Sequence, residues 1–289
     1  MKFFLSFSLI LCCYLSFGQN TILWKITNTN NKYISYLLGS NHLFGSSFVD
    51  SYPIIKEKLS LCDLVITETE INRIKIAEHY NSRNYVDTLS SVLSKEDLNF
   101  VFSIFKSSGI NVLKLTPGEL YMKLLSYVPK YKCKELSQND SLTMDEYVQF
   151  LGTKYQKGLY YFETDLYQLS ILSELSKQYD WPFFRNIIPS VLDKYKNENT
   201  NKNSCVLVKQ YASVRLDYMF KDTCNFLKGT NINNFVLQNR NEEWMKKLPN
   251  LLDQQNCFVT VGLFHLYNKC GLIQQLKMLG YSVEPVKLE

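Results

Sequence analysis

A chain of 289 residues, 46% of them apolar and 20% charged, can bury one large core or two smaller ones, which excludes wholesale disorder. Its net charge of +5 is spread along the chain, with no run of Lys and Arg interleaved with aromatics, and this argues against nucleic acid as a partner. The 20 Tyr and 18 Phe are expected in the core and along the walls of a cleft.

The chain opens on Lys2, an almost unbroken apolar run from Phe3 to Phe17, and the small–large–small step Ser16-Phe17-Gly18. That pattern predicts a secretory signal peptide over residues 1–18, cleaved before Gln19, and a mature domain over 19–289 in a periplasm or outside the cell. As a membrane anchor the run is short, and no stop-transfer charges follow it. Cys12 and Cys13 follow Leu11 and Cys12, where a lipidation site needs a small residue. No other stretch is apolar enough to predict an integral membrane span.

Leu23 to Thr27 and Tyr33 to Leu38 read as β-strands joined by the turn Asn28-Thr29-Asn30-Asn31-Lys32, and the second leads into Gly39-Ser40-Asn41-His42. Pro53 to Leu61 reads as a helix with Pro in its first turn, and Leu64 to Thr67 as a buried strand closed by Glu68. From about 89 to 252 the periods are mostly helical, as in Leu98, Phe102, Phe105 and Leu166, Leu169, Leu172, with a Lys/Asn-rich loop from Lys194 to Ser204. Cys257 to Val261 then forms a strand ending in Gly262-Leu263-Phe264-His265. A helix follows from Gly271 to Leu279, stopped by Gly280, and a last strand from Tyr281 to Val286.

Six cysteines remain after the leader: Cys62, Cys133, Cys205, Cys224, Cys257 and Cys270. None forms a Cys-x-x-Cys pair, which excludes a zinc ribbon or a thioredoxin-type centre. Cys133 and Cys205 flank a polar region and are candidates for a bridge, while Cys62 and Cys257 sit beside strands and read as buried thiols.

The two ends of the chain repeat one pattern: strand, Gly-x-x-His-Leu, helix, strand. The fold class this predicts is α/β, of the α+β kind, with a central sheet from two pseudo-repeated units and a large helical insertion between them. Open α/β sheets bind ligands beyond the carboxyl ends of their strands, which places His42 and His265 on a common rim. Glycine three residues before each His is expected to let the chain leave the strand sharply, often at positive φ. The bland alternative is two satisfied histidines at strand ends.

Glu68, at a strand end on the same rim, is placed to bind a cation or act as a base; a solvated strand end is the alternative, and Glu70 competes with it. Glu163 alone reads as a helix N-terminal carboxylate and Arg240 as half of a structural salt bridge, on a helix that puts Trp244 and Leu248 on one face. His79, in a polar segment, reads as exposed. No G-x-S-x-G, H-E-x-x-H, Walker or dinucleotide motif occurs, and Ser40 has no assignable triad partners.

Taken in order, LWKI, YLLGSNHLFGS, DLVITETE, FETDLYQL, NRNEEW and FVTVGLFHL with GLIQQLKMLGYSVEPV resemble the TraB/PrgY/GumN family, which includes the animal Tiki proteases, from Leu23 to Val286. Ser40 stands where that family commonly has Thr, and Leu263-Phe264 where smaller residues are common. The resemblance implies a fold related to the erythromycin-esterase and ChaN-like group and metal-dependent hydrolysis of peptide or amide bonds. It places His42, His265, Glu68 and Glu163 on a divalent metal (Mn, Co, Zn or Fe), with Glu68 or Glu163 as base and Arg240 steadying charge. Ser40, Asn41, Gln168 and Asn241 fall at the substrate. Two other expectations use the same cleft: a non-catalytic protein that sequesters a peptide, and a haem- or iron-binding protein with the histidines as axial ligands.

Overall fold

The computed structural model describes residues 20–84, 89–137, 139–177, 181–196, 205–222, 224 and 234–289. The predicted leader, with Cys12 and Cys13, lies outside the described residues. So does most of the Lys194–Ser204 loop, whose first three residues instead finish a helix.

Six strands form one mixed sheet: β1 (Leu23–Thr27), β2 (Ile34–Ser40), β3 (Leu64–Thr67), β4 (Gly158–Tyr161), β5 (Cys257–Gly262) and β6 (Ser282–Pro285), in the order β4-β3-β5-β2-β1-β6. β4, β3, β5 and β2 run parallel, and β1 pairs antiparallel with both β2 and β6. Burial follows from this. The inner parallel strands are covered on both faces, so LVIT of β3 is buried at every residue and CFVTV of β5 likewise. The fold is α/β, as the sequence predicts.

The repeated units share the sheet in an interleaved way: β5 of the second unit lies between β2 and β3 of the first, and β6 lies at the far edge beside β1. β2 therefore connects toward one edge and β5 toward the other, and the chain leaves their adjacent carboxyl ends in opposite directions. That divergence opens a crevice at the rim.

The insertion, read as mostly helical, has a further helix ahead of it and a strand within it. Helix α3 (Arg73–Asn81) precedes residue 89, and β4 adds an edge strand within the insertion. Four residues of GLYY carry too short a period to stand out among helical neighbours. Helices α4 (Lys95–Phe105), α5 (Pro117–Lys132), α7 (Asp165–Lys177) and α8 (Trp181–Lys196), with α3, bury a second apolar cluster that includes Tyr80, Phe105, Leu120, Leu124, Leu169 and Ile188, separate from the cluster around the sheet. Each fully buried side chain of this size contributes about 1.5–3 kcal/mol. Of the periodic residues, Phe105 and Leu169 are buried, but Phe102 and Leu166 are 40% and 60% exposed, and Val101 is buried in the place of Phe102.

Two disulfides are present among the described residues. Cys133–Cys205, the expected bridge, links the end of α5 to the start of α9 (Val206–Ala212), and Cys224–Cys270 is a second pair that the spacing does not single out. Cys62 and Cys257 are buried and free. No described helix is long and apolar enough to cross a membrane.

Candidate functional site at the carboxyl rim of the sheet

Each of the four adjacent parallel strands delivers one residue to the rim. β4 continues into Glu163 and β3 into Glu68, and the Glu163 amide donates to the Glu68 carbonyl, so the two carboxylates are neighbours by strand register. β5 ends at Gly262, followed by the 3-10 turn Leu263–Leu266 that carries His265; β2 ends at Ser40, two residues before His42.

Gly262 is where they meet. A Cβ built on it would stand 3.2 Å from Glu68 Oε1, 3.7 Å from His265 Cδ2 and 3.8 Å from His42 Nε2. Both imidazoles therefore reach one small volume, although their residues lie 223 positions apart in the chain. The glycines do not work as expected, since neither has a positive φ. Gly262 leaves open the space in front of Glu68, and Gly39 admits Leu263 and Leu266, whose Cδ1 atoms would each lie 2.8 Å from a Cβ. Both are needed for close approach.

Each histidine is oriented through Nδ1. His42 Nδ1 lies 2.7 Å from Asp145 Oδ2, and the other Asp145 oxygen accepts a 2.6 Å bond from the Ser40 hydroxyl. Asp145 is 3% exposed and sits in the first turn of α6 (Met144–Lys154), which a Thr143–Glu146 capping box fixes in place. Its carboxylate raises the pKa of His42, whose side chain is 63% exposed so that water screens part of the pull. Asp145 was not foreseen: in the sequence an acid in a helix's first turn is explained by the dipole alone.

His265 Nδ1 lies 2.6 Å from Asn241 Oδ1. The Asn241 amide donates to the carbonyls of His265 and Cys270, so its oxygen faces the ring and His265 carries its proton on Nδ1. Burial pushes the pKa of His265 down to about 3, and the ring is neutral.

Arg240, on α10 (Asn239–Met245), is the centre of the charge network. Nη2 contacts Glu68 Oε2 at 2.5 Å and Glu163 Oε2 at 2.8 Å, Nε contacts Glu163 Oε1 at 2.9 Å, and Nη1 lies 3.2 Å from His265 Nε2. Burial raises the Glu68 pKa, but Arg240, with His42 and the Gly262 N–H at 2.6 Å, holds it well below the usual carboxylate range. Trp244 joins the set: its indole N–H donates to Glu163 Oε1 at 2.8 Å, and its ring lies 4.3 Å from that of His265.

These contacts sort the expected residues. His42, His265, Glu68, Glu163, Arg240 and Gln168, whose amide donates to Glu68 Oε2 at 3.1 Å, come together. Glu163 is filled by Arg240, Trp244 and Gln168, and serves to hold the arginine. Ser40 holds Asp145, Asn41 Oδ1 accepts the Leu43 N–H, and Asn241 holds His265, so these side chains brace the two histidines and the turn around His42. Glu70 is salt-bridged to Lys75 away from the cluster. His79 is half-buried, not exposed, with Nε2 at 3.3 Å from Arg83.

A cavity of about 390 Å³ opens on His42, Glu68, Asp145 and Gln168, between the sheet and the helical lobe. A larger one of about 1120 Å³ is lined by Glu163 and Trp244 but by neither His42 nor His265. Among the described residues, no three His, Cys, Asp or Glu side chains stand close enough to hold a metal ion as placed.

The model of the TraB/PrgY/gumN family matches residues 22–285. No curated protein matches the chain. With nearly its whole length matched, from before β1 to the end of β6 and across every residue of this rim, the chain belongs to the TraB/PrgY/gumN family.

Proposed function

We propose that the protein is an exported, metal-dependent hydrolase that cleaves peptide or amide bonds in the cleft beside Gly262. The observation that carries this reading is the convergence of His42 Nε2, the His265 ring and Glu68 Oε1 around the space a Cβ would fill. Both imidazoles have Nδ1 tied to a buried partner, Asp145 or Asn241, the second layer of bonding that orients histidines as ligands through Nε2. Two imidazoles and a carboxylate suit a borderline divalent ion such as Mn, Co, Zn or Fe. Bound there, such an ion would supply Lewis acidity and an acidified water. Glu68, kept ionised by Arg240, has Oε1 bordering that space and would accept a proton there, while Gln168 and Arg240 hold its second oxygen. Arg240 has its N–H groups on Glu68, Glu163, His265 and the Val236 carbonyl, so it would steady an oxyanion by exchanging one of these partners for it. The two disulfides support an oxidising compartment, in keeping with the leader read in the sequence.

The second reading is a metal-free cleft that sequesters a peptide. It is favoured by Arg240 Nη1, which occupies the lone-pair side of His265 Nε2. Metal analysis of the purified protein, together with peptide turnover before and after chelation, decides between them. Bound Mn, Co, Zn or Fe with chelation-sensitive turnover supports the hydrolase; tight peptide binding without metal or turnover supports sequestration, and a Soret band would point to haem instead.

A further inference from the structure

Glu119 and Lys123 stand four residues apart on α5, where they would ordinarily pair. Glu119 is fully buried and spoken for: Arg83 contacts it at 2.7 and 3.1 Å, and the Thr116 N–H donates to it in a capping box. Lys123 lies instead over the Tyr80 ring, its ammonium 4.9 Å from the centroid, and lines the 390 Å³ cavity that opens on His42 and Glu68.

The cavity's other charges are committed. Glu68 pairs with Arg240, Asp145 with His42 and Glu146 with Arg73, and Asp165 accepts from the Thr69 hydroxyl and the Asn72 N–H. Among the described residues, Lys123 is the cation of this cavity with no carboxylate in ion-pair contact. Burial lowers its pKa, with Glu119 only partly offsetting the cost, so an arriving anion would relieve it. Ile71, Ile76 and Leu169 give the same cavity an apolar wall. Its volume of about 390 Å³ lies near the lower end of the range of small-ligand sites, about 300–1,000 Å³, and gives room for the end of a peptide chain.

We propose that Lys123 binds the terminal carboxylate of a peptide whose last side chain packs on Ile71, Ile76 and Leu169, so that the cleft takes peptide C-termini. The proposal rests on the hydrolase reading for its chemistry but not for its test. Calorimetry on the full mature chain would compare N-acetylated Ala-Ala-Leu as the free acid and as the amide, on the native protein and on Lys123→Met and Lys123→Arg. Met keeps the stem over Tyr80 without the charge, and Arg keeps the charge. The acid should bind roughly tenfold or more tighter than the amide, as expected for a charge-assisted contact. Lys123→Met should erase that preference and Lys123→Arg should retain part of it. Equal affinities in the native protein, a preference that survives in Lys123→Met, or binding of neither peptide at millimolar concentration would overturn it. Turnover read on the same samples is independent. Binding with the expected preference but no hydrolysis would count against the hydrolase alone, and hydrolysis of acid and amide alike with equal affinity would count against Lys123 alone.

Discussion

At the scale of residues, the site is governed by which atoms are already taken. Asp145 holds His42 by Nδ1, so Asp145→Asn should let the His42 pKa fall toward its ordinary 6.5. The sign follows from the cause: a carboxylate that raises the pKa stabilises the charged imidazole, and that stabilisation is lost as pH rises through the raised value. An NMR titration of His42 in native and variant protein checks it, and an unchanged midpoint would remove Asp145 from the account. Glu68 is held below the usual range by Arg240. Glu68→Gln should cost about 3 kcal/mol by breaking a buried pair. Because the folded pKa is depressed, that difference is complete above about 4.5 and shrinks as acid protonates Glu68. Chemical denaturation at pH 7 and pH 3 measures the plateau and the start of the decline, so the difference should be smaller at pH 3 but not zero. Gly262→Ala tests the convergence itself. Its φ of −53° suits alanine, so the melting temperature should move by only a few degrees. The new methyl would press on Glu68 Oε1, and turnover should fall at least tenfold.

At the scale of elements, much of the rim was legible. The two Gly-x-x-His turns and the buried strand before Glu68 are local patterns, and period-2 and period-3.6 reading locates β1, β2, β3, β5 and the last helix within a residue or two. The illegible part is long-range. β4 is four residues long and gains its identity only by pairing with β3, and the interleaving of β5 between β2 and β3 has no local signature. Asp145 belongs to the same class: α6 announces itself by its capping box, but its approach to His42 is set by packing across 103 residues. The purpose of the glycines was misread for a related reason. Sequence shows that a side chain is missing, and only the fold shows which neighbours use the space. Gly39→Ala should therefore cost about 1–3 kcal/mol through overpacking against Leu263 and Leu266, a loss visible in denaturant midpoints with an unchanged m-value.

At the scale of the molecule, the site sits where two apolar cores meet. The rim of the sheet supplies His42 and Glu68 to the cavity wall, and the helical lobe supplies Lys123 and Leu169. The Cys133–Cys205 bridge closes 72 residues that include α6, β4, α7 and α8. Loop-closure entropy gives such a bridge about 4 kcal/mol. The Cys133→Ser, Cys205→Ser double variant should lose most of that in chemical denaturation, and a loss under about 1 kcal/mol would show that the lobe is held by packing alone.

Metal-dependent hydrolysis in this cleft requires His42 and His265 to serve one ion in front of Gly262. Anomalous diffraction from a crystal of the native protein grown with Mn measures this directly. A single strong peak is expected within coordinating distance of His42 Nε2, His265 Nε2 and a Glu68 oxygen, and it should disappear in His42→Ala. A protein saturated with Mn that shows no peak there, or shows it equally in His42→Ala, would contradict a shared ion.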